Sequence, residues 1–286
     1  MHVSELWRYP VKSMLGERVG SVDVVTDGIV GDRMWAARDE VRGGIRGAKK
    51  IGALMRLAAA YDDGPGSPVT ITLPDGSTVR AGADGTDAAV SAALDHEVTL
   101  WPRLPATELD HYRRGAPDSD DLLEELRSIF GRDPDEPLPD LSIFPPEILE
   151  YESPLGTYHD AFPLMLMTSS AMRSLTEALP DSVIDIRRFR PSMVIDTGEE
   201  TGHPEFDWVG RTVRVGDVEL GIRAGCPRCV MVTREVDASL PADRAVLRHI
   251  VSDLDQNLGV YAEILTPGAV RVGYTVTVGG PVPSAE

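Results

Sequence analysis

Short apolar runs separated by glycines fill residues 1–101, and they constrain the fold more than any other feature of the chain. Leu73-Pro74-Asp75-Gly76-Ser77-Thr78-Val79 is typical of a hairpin with a tight turn. Alanines at residues 88–93 favour a helix over residues 87–94. Strands this short and this closely spaced predict a small barrel or sandwich. The runs that we interpret as strands are residues 3–9, 19–25, 34–38, 57–61, 69–73 and 98–100.

The next stretch, residues 103–153, is acidic and proline-rich. Apolar residues recur at helical spacing within it and predict a short amphipathic helix over residues 120–130. The stretch is either a lid or partner-binding insertion, or a solvated excursion between two halves of the protein. Charge runs usually mark exposed faces, which favours the second interpretation. We therefore expect three parts: residues 1–102, an acidic insertion at 103–155, and residues 156–280.

The last part also predicts β structure with a few peripheral helices. A buried run at residues 164–167 leads into a helix that Ser169 or Ser170 can cap and that extends to about residue 179. A second helix is expected over residues 242–253. The fold class expected from the whole chain is mainly β, of the α+β type. The strands expected here are residues 212–215, 218–223, 229–232, 261–265 and 275–278.

Charge and hydropathy exclude several classes of function. The formal net charge of −18 argues against nucleic acid as a partner, because phosphate binding needs a basic face. No run approaches the roughly 18 to 20 apolar residues of a membrane span. The start of the chain lacks the apolar core of a signal peptide, so a cytoplasmic location is expected. The 2 cysteines cannot form a disulfide framework and are expected to be thiols.

Both cysteines lie in one motif, Cys226-Pro227-Arg228-Cys229, and Arg223, Arg228 and Arg234 are close to it in sequence. Guanidinium groups near a thiol favour the thiolate. Half of a zinc site is disfavoured, since no second C-x-x-C and no nearby histidine pair exist. A redox pair should begin a helix, whereas the residues that follow read as β structure. Two hypotheses remain: buried small hydrophobes, which suits Cys226, or a soft thiolate, Cys229, that starts a strand and binds a metal or carries sulfur.

Basic residues outside the motif could complete an anion site. Lys12 and Ser13 follow a proline turn, Arg33 precedes a strand, and arginines at 187, 188 and 190 form a third group. Guanidinium groups bind phosphate through paired hydrogen bonds, and lysine acts as a point charge. Taken singly, each of these basic residues would more often form a surface ion pair. No P-loop, dinucleotide fingerprint or G-x-S-x-G is present, and the 6 histidines are scattered, which disfavours a histidine-based hydrolase.

Four segments, in this order and spacing, resemble the MOSC-domain proteins. That family carries an N-terminal β-barrel subdomain followed by the domain named for the C-terminal part of molybdenum cofactor sulfurase. The resemblance covers nearly the whole chain apart from the acidic insertion. The segments are Tyr9-Pro10-Val11-Lys12-Ser13-Met14-Leu15-Gly16-Glu17, Gly31-Asp32-Arg33-Met34-Trp35, Arg188-Phe189-Arg190-Pro191-Ser192 and Cys226-Pro227-Arg228-Cys229-Val230-Met231-Val232-Thr233.

The resemblance implies a molybdopterin-type cofactor whose molybdenum is bound by a protein thiolate. Matching the motifs makes Cys229 the metal ligand and the catalytic residue. Some members of the family, the amidoxime-reducing proteins, are reductases, and this chain departs from them in two places that bear on the reductase activity. Ala161 and Phe162 stand where those reductases have Thr-Ser, and Ser192 replaces their usual asparagine. The residues that the resemblance assigns to cofactor binding are Lys12, Ser13, Arg33, Asp160, Arg190, Ser192 and Arg228.

The function expected from this resemblance is reduction of N-hydroxylated or N-oxygenated small molecules at a cysteine-bound molybdenum. The amidoxime-reducing proteins of the family take electrons from partner proteins. A separate electron-transfer protein is expected here too, since two cysteines cannot hold an iron–sulfur cluster in the usual way. Two alternatives stay open: a sulfur carrier that uses a persulfide on Cys229, and a protein that binds the cofactor without turnover.

Overall fold

A computed structural model describes residues 1–143, 147 and 150–283 of the chain. These residues form sixteen β-strands and five α-helices. The strands of the N-terminal part are β1 (His2–Arg8), β2 (Glu17–Val19), β3 (Ser21–Val25), β4 (Gly28–Ile29), β5 (Trp35–Asp39), β6 (Ala58–Tyr61), β7 (Val69–Thr72), β8 (Thr78–Arg80) and β9 (Val98–Pro102). Those of the C-terminal part are β10 (Leu164–Thr168), β11 (Met193–Asp196), β12 (Arg211–Val215), β13 (Val218–Pro227), β14 (Asn257–Thr266), β15 (Gly268–Arg271) and β16 (Val276–Pro281). The helices are α1 (Thr86–Leu94), α2 (Leu109–Tyr112), α3 (Leu122–Phe130), α4 (Ser169–Ala178) and α5 (Arg244–Asp253).

The largest sheet has eight strands in the order β16-β12-β13-β14-β10-β11-β1-β2. Its pairs are antiparallel except β10 and β11, which run parallel and are connected through α4, as a parallel crossover requires. A bridge between His2 and Thr275 brings the β16 end of the sheet back to β1. The sheet therefore curls towards a barrel around its apolar face.

Alternating side chains explain how this sheet encloses a core. Along β3 the burial alternates residue by residue, so that Val22 and Val24 point inward. Val3 and Leu6 of β1 join the same core, together with Leu220 of β13. Strands from the start of the chain thus complete the sheet of the C-terminal part, and β3 also pairs with β15. The boundaries at 102 and 155 stay a prediction.

A second core lies among β5 to β9 and α1. The predicted hairpin of residues 73–79 is present: the Leu73 amide donates to the Ser77 carbonyl at 2.9 Å, between β7 and β8. Val236 and Leu240, which follow the second cysteine, belong to this core as well. The segment after Cys229 therefore links the two cores.

The mainly β fold class is confirmed, and one predicted strand is wrong. Residues 229–232 do not form a strand: β13 ends at Pro227 and a 3-10 helix covers Val230–Thr233. A short apolar run has no periodicity that separates a strand from a buried helical turn. The predicted cap of α4 is also displaced by one residue, because Thr168 accepts a hydrogen bond from the Ala171 amide at 3.2 Å.

The acidic insertion contains α2 and α3, and part of it, residues 144–146 and 148–149, lies outside the described residues. The predicted helix over 120–130 is present as α3, and the Asp121 side chain caps it by accepting from the Leu123 amide at 2.8 Å. No helix in the described part of the chain has the length and apolar character that crossing a membrane requires.

Candidate functional site

A cleft of about 760 Å³ lies between the segment that follows β13 and helix α3. We call it the Cys229 cleft. Three stretches that are distant in sequence meet here: the start of the chain, the loop before β11, and the C-x-x-C motif. Of the eight residues assigned by the resemblance, five line it: Arg33, Asp160, Arg190, Arg228 and Cys229.

The two cysteines of the motif have different surroundings. Cys226 is only 3% exposed and packs in the core formed with α4 and α5, and burial raises the pKa of its thiol. Cys229 is half-buried and directly precedes the 3-10 helix rather than a strand. No group of three or more histidine, cysteine, aspartate or glutamate side chains in the described residues could hold a metal ion.

Arg228, between the cysteines, is committed to the backbone around it. Its guanidinium donates to the carbonyl of Leu258 at 2.8 Å and to that of Phe189 at 2.9 Å. It also contacts the sulfur atoms of Met165 and Met167 at 3.4 and 3.6 Å. These contacts join the C-x-x-C loop to β14 and to the loop before β11. Arg228 therefore fixes the position of Cys229.

Asp160 connects two lysines at the cleft. Its carboxylate is 3.1 Å from the Nζ atoms of both Lys12 and Lys49. Burial opposes ionisation of the carboxyl, but Lys12, Lys49 and Arg33 hold its pKa well below the usual range. Lys12 is 3% exposed and also donates to the Tyr158 carbonyl at 2.8 Å. Lys12 thus reaches the cleft through Asp160.

Arg33 and Arg190 contact the ring of Tyr9. Their guanidinium carbons lie 5.5 and 4.1 Å from the ring centroid, within the range of cation–π contacts. Arg33 also pairs with Asp32, and Arg190 donates to the Met14 carbonyl. Burial lowers the pKa of Arg190 to about 10, which leaves it charged at neutral pH. We call Lys12, Arg33, Lys49, Asp160 and Arg190 the charged cluster.

The backbone is strained at three of the predicted residues. Ser13, Arg33 and Arg190 have φ values of 68°, 49° and 58°, in the left-handed region that non-glycine residues rarely adopt. In the described chain only three other non-glycine residues share this feature, Asp95, Asp255 and Gln256. Each such conformation costs roughly 1–3 kcal/mol, and such strain clusters at functional sites. The cluster is thus positioned at a cost to stability.

Ser13 and Ser192 are outside the lining of the cleft. Both are buried, at 6% and 2% exposure. The Ser13 hydroxyl lies so close to Gly47 that a Cβ there would come within 2.6 Å of it. Ser192 accepts from the Met165 amide at 3.3 Å, which fixes the loop against β10. Direct cofactor contact by these two serines stays a prediction.

The expectation that the arginines around the motif gather at the thiols is wrong for Arg223 and Arg234. Arg223 pairs with Glu263 on the outside of the sheet. Arg234 donates to the Lys49 carbonyl at 3.3 Å and lines a different cleft. Alternation along β13 and the helical turn after Cys229 point these side chains away from the sulfur atoms.

The third arginine group divides in the same way. Arg187 pairs at the surface with Asp185 and Asp237. Arg188 is 1% exposed and donates to backbone carbonyls, among them that of Pro241. Arg188 also lines the Cys229 cleft, but its guanidinium is occupied by these backbone carbonyls, so that of this group only Arg190 joins the charged cluster.

Lys49 is the residue that sequence reasoning missed. The chain has only three lysines, Lys12, Lys49 and Lys50. Lys49 and Lys50 line the cleft, and Lys12 reaches it through Asp160. Burial lowers the pKa of Lys49, but Asp160 and Cys229 outweigh it and raise the pKa overall. Lysine is scarce in this arginine-rich chain, and that scarcity was the one sequence signal that could have drawn attention to Lys49.

Helix α3 supplies an apolar boundary of the cleft. Glu125 is its one buried side chain, and it pairs with Lys50. Asp118, just before the helix, pairs with Arg46 at 2.9 Å and with Lys50 at 2.9 Å. These ion pairs hold α3 against the basic segment of residues 46–50. The helix residues that line the cleft, which we call the apolar face of α3, are Leu122, Leu126, Ile129 and Phe130.

Comparison with known proteins decides the family. The MOSC N-terminal beta barrel domain matches residues 1–102, and the MOSC domain matches residues 156–277. The chain belongs to the MOSC-domain proteins. Together the two matches leave out little more than the acidic insertion and the C-terminal end.

Two curated relatives of this MOSC-domain protein are amidoxime-reducing components. Mitochondrial amidoxime-reducing component 1 of Danio rerio is 30% identical over 127 residues, which is 42% of this chain and 38% of that protein. The Mus musculus protein of the same name is 24% identical over 95% of this chain and 80% of its own length. Both names place the relatives in mitochondria; the cytoplasmic location expected for this chain stays a prediction. Among solved structures, the YUAD protein of Bacillus subtilis is 10% identical with a TM-score of 0.43, over 98% of this chain and 95% of that one.

Proposed function

We propose that this MOSC-domain protein binds a molybdenum cofactor in the Cys229 cleft and reduces N-oxygenated small molecules. The observation that carries the proposal is the position of Cys229. Its half-buried sulfur lines a cleft that Arg33, Lys49 and Arg190 also line. Similarity to the amidoxime-reducing components supports the reductase activity over the other members of this family.

The charges of the cleft fit an anionic cofactor. Arg33 and Arg190 offer guanidinium groups that can bind phosphate oxygens in pairs, and Lys49 adds a positive point charge. Asp32 and Asp160 already neutralise part of this charge. A bound phosphate would therefore share cations that the protein holds in place by its own carboxylates.

The thiol content fits a metal that arrives with its own ligands. One accessible cysteine, with no further cluster of metal-binding side chains in the described residues, suits a metal already held by a pterin. A thiolate is a soft ligand and matches a redox metal. The cofactor, when bound, supplies the two-electron chemistry, and the protein orients it and adjusts its electronics.

The reaction needs two electrons and two protons from outside the substrate. The N–O bond breaks, one N–H bond forms, and the oxygen leaves as water. An electron-transfer protein has to supply the electrons, since the 2 cysteines of the chain cannot hold an iron–sulfur cluster in the usual manner. Lys49 stays protonated at neutral pH, and we assign it to binding the anionic cofactor beside Cys229.

The other assigned residues act at a distance from the sulfur. Arg228 holds the C-x-x-C loop through two backbone carbonyls. Lys12 holds Asp160, and Ser192 fixes the loop that carries Arg190. We assign these residues to positioning the cofactor pocket.

The test is turnover by protein made in a host that synthesises the cofactor. A reduced artificial electron donor and acetamidoxime are supplied, and formation of acetamidine is measured. We expect turnover by the wild type and by Cys226→Ala, and none by Cys229→Ala. Turnover by Cys229→Ala would contradict the proposal. Labile sulfur on Cys229 without bound molybdenum would favour the sulfur-carrier alternative instead.

A further inference from the structure

Among the residues that the structure describes, the apolar face of α3 has no partner in a hydrophobic core. None of its four side chains belongs to the four core clusters of the described residues. Leu122 is 70% exposed, while Leu126, Ile129 and Phe130 are half-buried. An amphipathic helix normally directs its apolar stripe into a core. Here the stripe lines the Cys229 cleft.

Charged and polar contacts hold α3 in position. Glu125 pairs with Lys50 and accepts from the amides of Asp118 and Ser119 at 3.2 and 3.3 Å. Asp121 caps the first turn. The helix is thus held in place while its apolar side chains remain available at the cleft.

Aromatic surface is present in the same cleft. Phe162 and Tyr261 line it, and their rings stack with centroids 5.1 Å apart and planes 23° apart. Phe162 stands where the resemblance expects a small hydroxyl residue, so an apolar surface replaces a polar one. The cleft therefore has a charged part at Cys229 and an apolar part, in a volume that is usual for small-molecule sites, roughly 300–1,000 Å³.

We propose that the apolar face of α3 binds the apolar body of the substrate, so that the protein selects N-oxygenated compounds carrying an aromatic or branched aliphatic group. This inference rests on the reductase function proposed above. The N-oxygenated group lies towards Cys229, and the apolar group lies against Leu126, Ile129 and Phe130. A substrate with both parts matches both halves of the cleft.

The test compares two compounds that share an amidoxime group and differ in their apolar part. Benzamidoxime carries a phenyl group and acetamidoxime a methyl group. Their affinities for the oxidised, cofactor-loaded protein are measured by calorimetry without any electron donor, so that no turnover occurs. The variants are Ile129→Ser and Leu126→Ser, with Leu123→Ser as the matched control on the same helix, where it lines the other cleft.

We expect the wild type to prefer benzamidoxime, and this preference to fall about tenfold in Ile129→Ser and in Leu126→Ser, as loss of apolar contact predicts. Leu123→Ser should keep the wild-type preference. Equal preference in all four proteins, or an equal loss in the control, would overturn the inference. Turnover without any dependence of binding on α3 would overturn it and leave the proposed function standing. Binding that depends on α3, with no turnover after a donor is added, would overturn the reductase function and leave the binding site.

Discussion

The charged cluster and the apolar face of α3 line one cleft, but they are built in opposite ways. The cluster takes residues from the start and the middle of the chain, and its members are paired with one another, with Asp32 or with backbone carbonyls. The apolar face comes from nine consecutive residues of one helix and belongs to none of the cores formed by the described part of the chain. The cluster is therefore rigid and costly to change, whereas the helix face can vary with little effect on folding.

This difference separates chemistry from selectivity. Residues that bind an anionic cofactor must be positioned closely, and the strained backbone at Ser13, Arg33 and Arg190 is consistent with that demand. Residues that contact an apolar group need only offer surface. Substitutions in the cluster should act on cofactor and stability, and those on α3 on the choice of substrate.

The largest effect on stability is expected from a buried carboxyl beside the strand that supports the cluster. Glu205 is fully buried and accepts from Thr168 of β10 at 2.6 Å, while burial raises its pKa to about 7. Between pH 4.5 and 7 the folded state keeps a proton on Glu205 that the unfolded state releases. The stability that comes from keeping Glu205 protonated is therefore fully present below pH 4.5 and is lost as pH rises through 7. The free energy of unfolding of Glu205→Gln should therefore rise relative to that of the wild type by about 3 kcal/mol from pH 4.5 to pH 8.

Urea unfolding of both proteins at several pH values checks this. Glu177→Gln, at an exposed position of α4, is the control and should follow the wild type. A difference between Glu205→Gln and wild type that does not change with pH would show that this carboxyl is ionised in the folded protein.

Two adjacent lysines test the comparison directly. Lys49 belongs to the charged cluster through Asp160, and Lys50 holds α3 through Glu125. We expect Lys49→Met to weaken cofactor binding about tenfold, as loss of a charged hydrogen bond predicts. Lys50→Met should change it by less than about twofold, since Asp118 and Glu125 both pair with Lys50, whereas Lys49 shares the single carboxylate of Asp160 with Lys12. The pterin content of each variant after dialysis measures its cofactor binding. An equal loss in the two variants would contradict the assignment of Lys49 to cofactor binding and of Lys50 to holding α3.

The smallest effect is expected at the start of α3. Asp121→Ala removes the cap and should cost about 1 kcal/mol, confined to the helix. Hydrogen exchange should be about fivefold faster for α3 amides and unchanged in β10 and β13. Asp120→Ala, the neighbouring exposed aspartate, is the matched control. Faster exchange throughout the cleft would mean that helix and cluster form one cooperative unit.

The sequence singled out most members of the charged cluster, but it missed Lys49 and did not separate Arg190 from Arg187 and Arg188. Arg33, Arg190, Asp160 and Cys229 lie in segments that the family resemblance marks, and they line one cleft; their roles at a cofactor stay a prediction. Lys49 was missed because its ion pair with Asp160 spans more than a hundred residues and leaves no local pattern. Arg187 and Arg188 could not be separated from Arg190, since their partners are distant in sequence: Arg187 pairs with Asp237 and Arg188 donates to the Pro241 carbonyl.

For helix α3 the sequence predicted the element but not the surroundings of its side chains. Its apolar spacing predicted the element within two residues at its start. The direction of its apolar face could not be predicted, because local periodicity says that a face is buried without saying against what. The strand expected after Cys229 failed for a related reason: four apolar residues fit a helical turn as well as a strand.

The central claim is that the Cys229 sulfur is the protein's ligand to the metal, and X-ray absorption at the molybdenum edge tests it most directly. Cofactor-loaded wild type and Cys226→Ala should give the same number of sulfur neighbours around molybdenum. Cys229→Ala should show one sulfur fewer or bind no molybdenum. An unchanged sulfur count in Cys229→Ala, with molybdenum retained, would contradict the account.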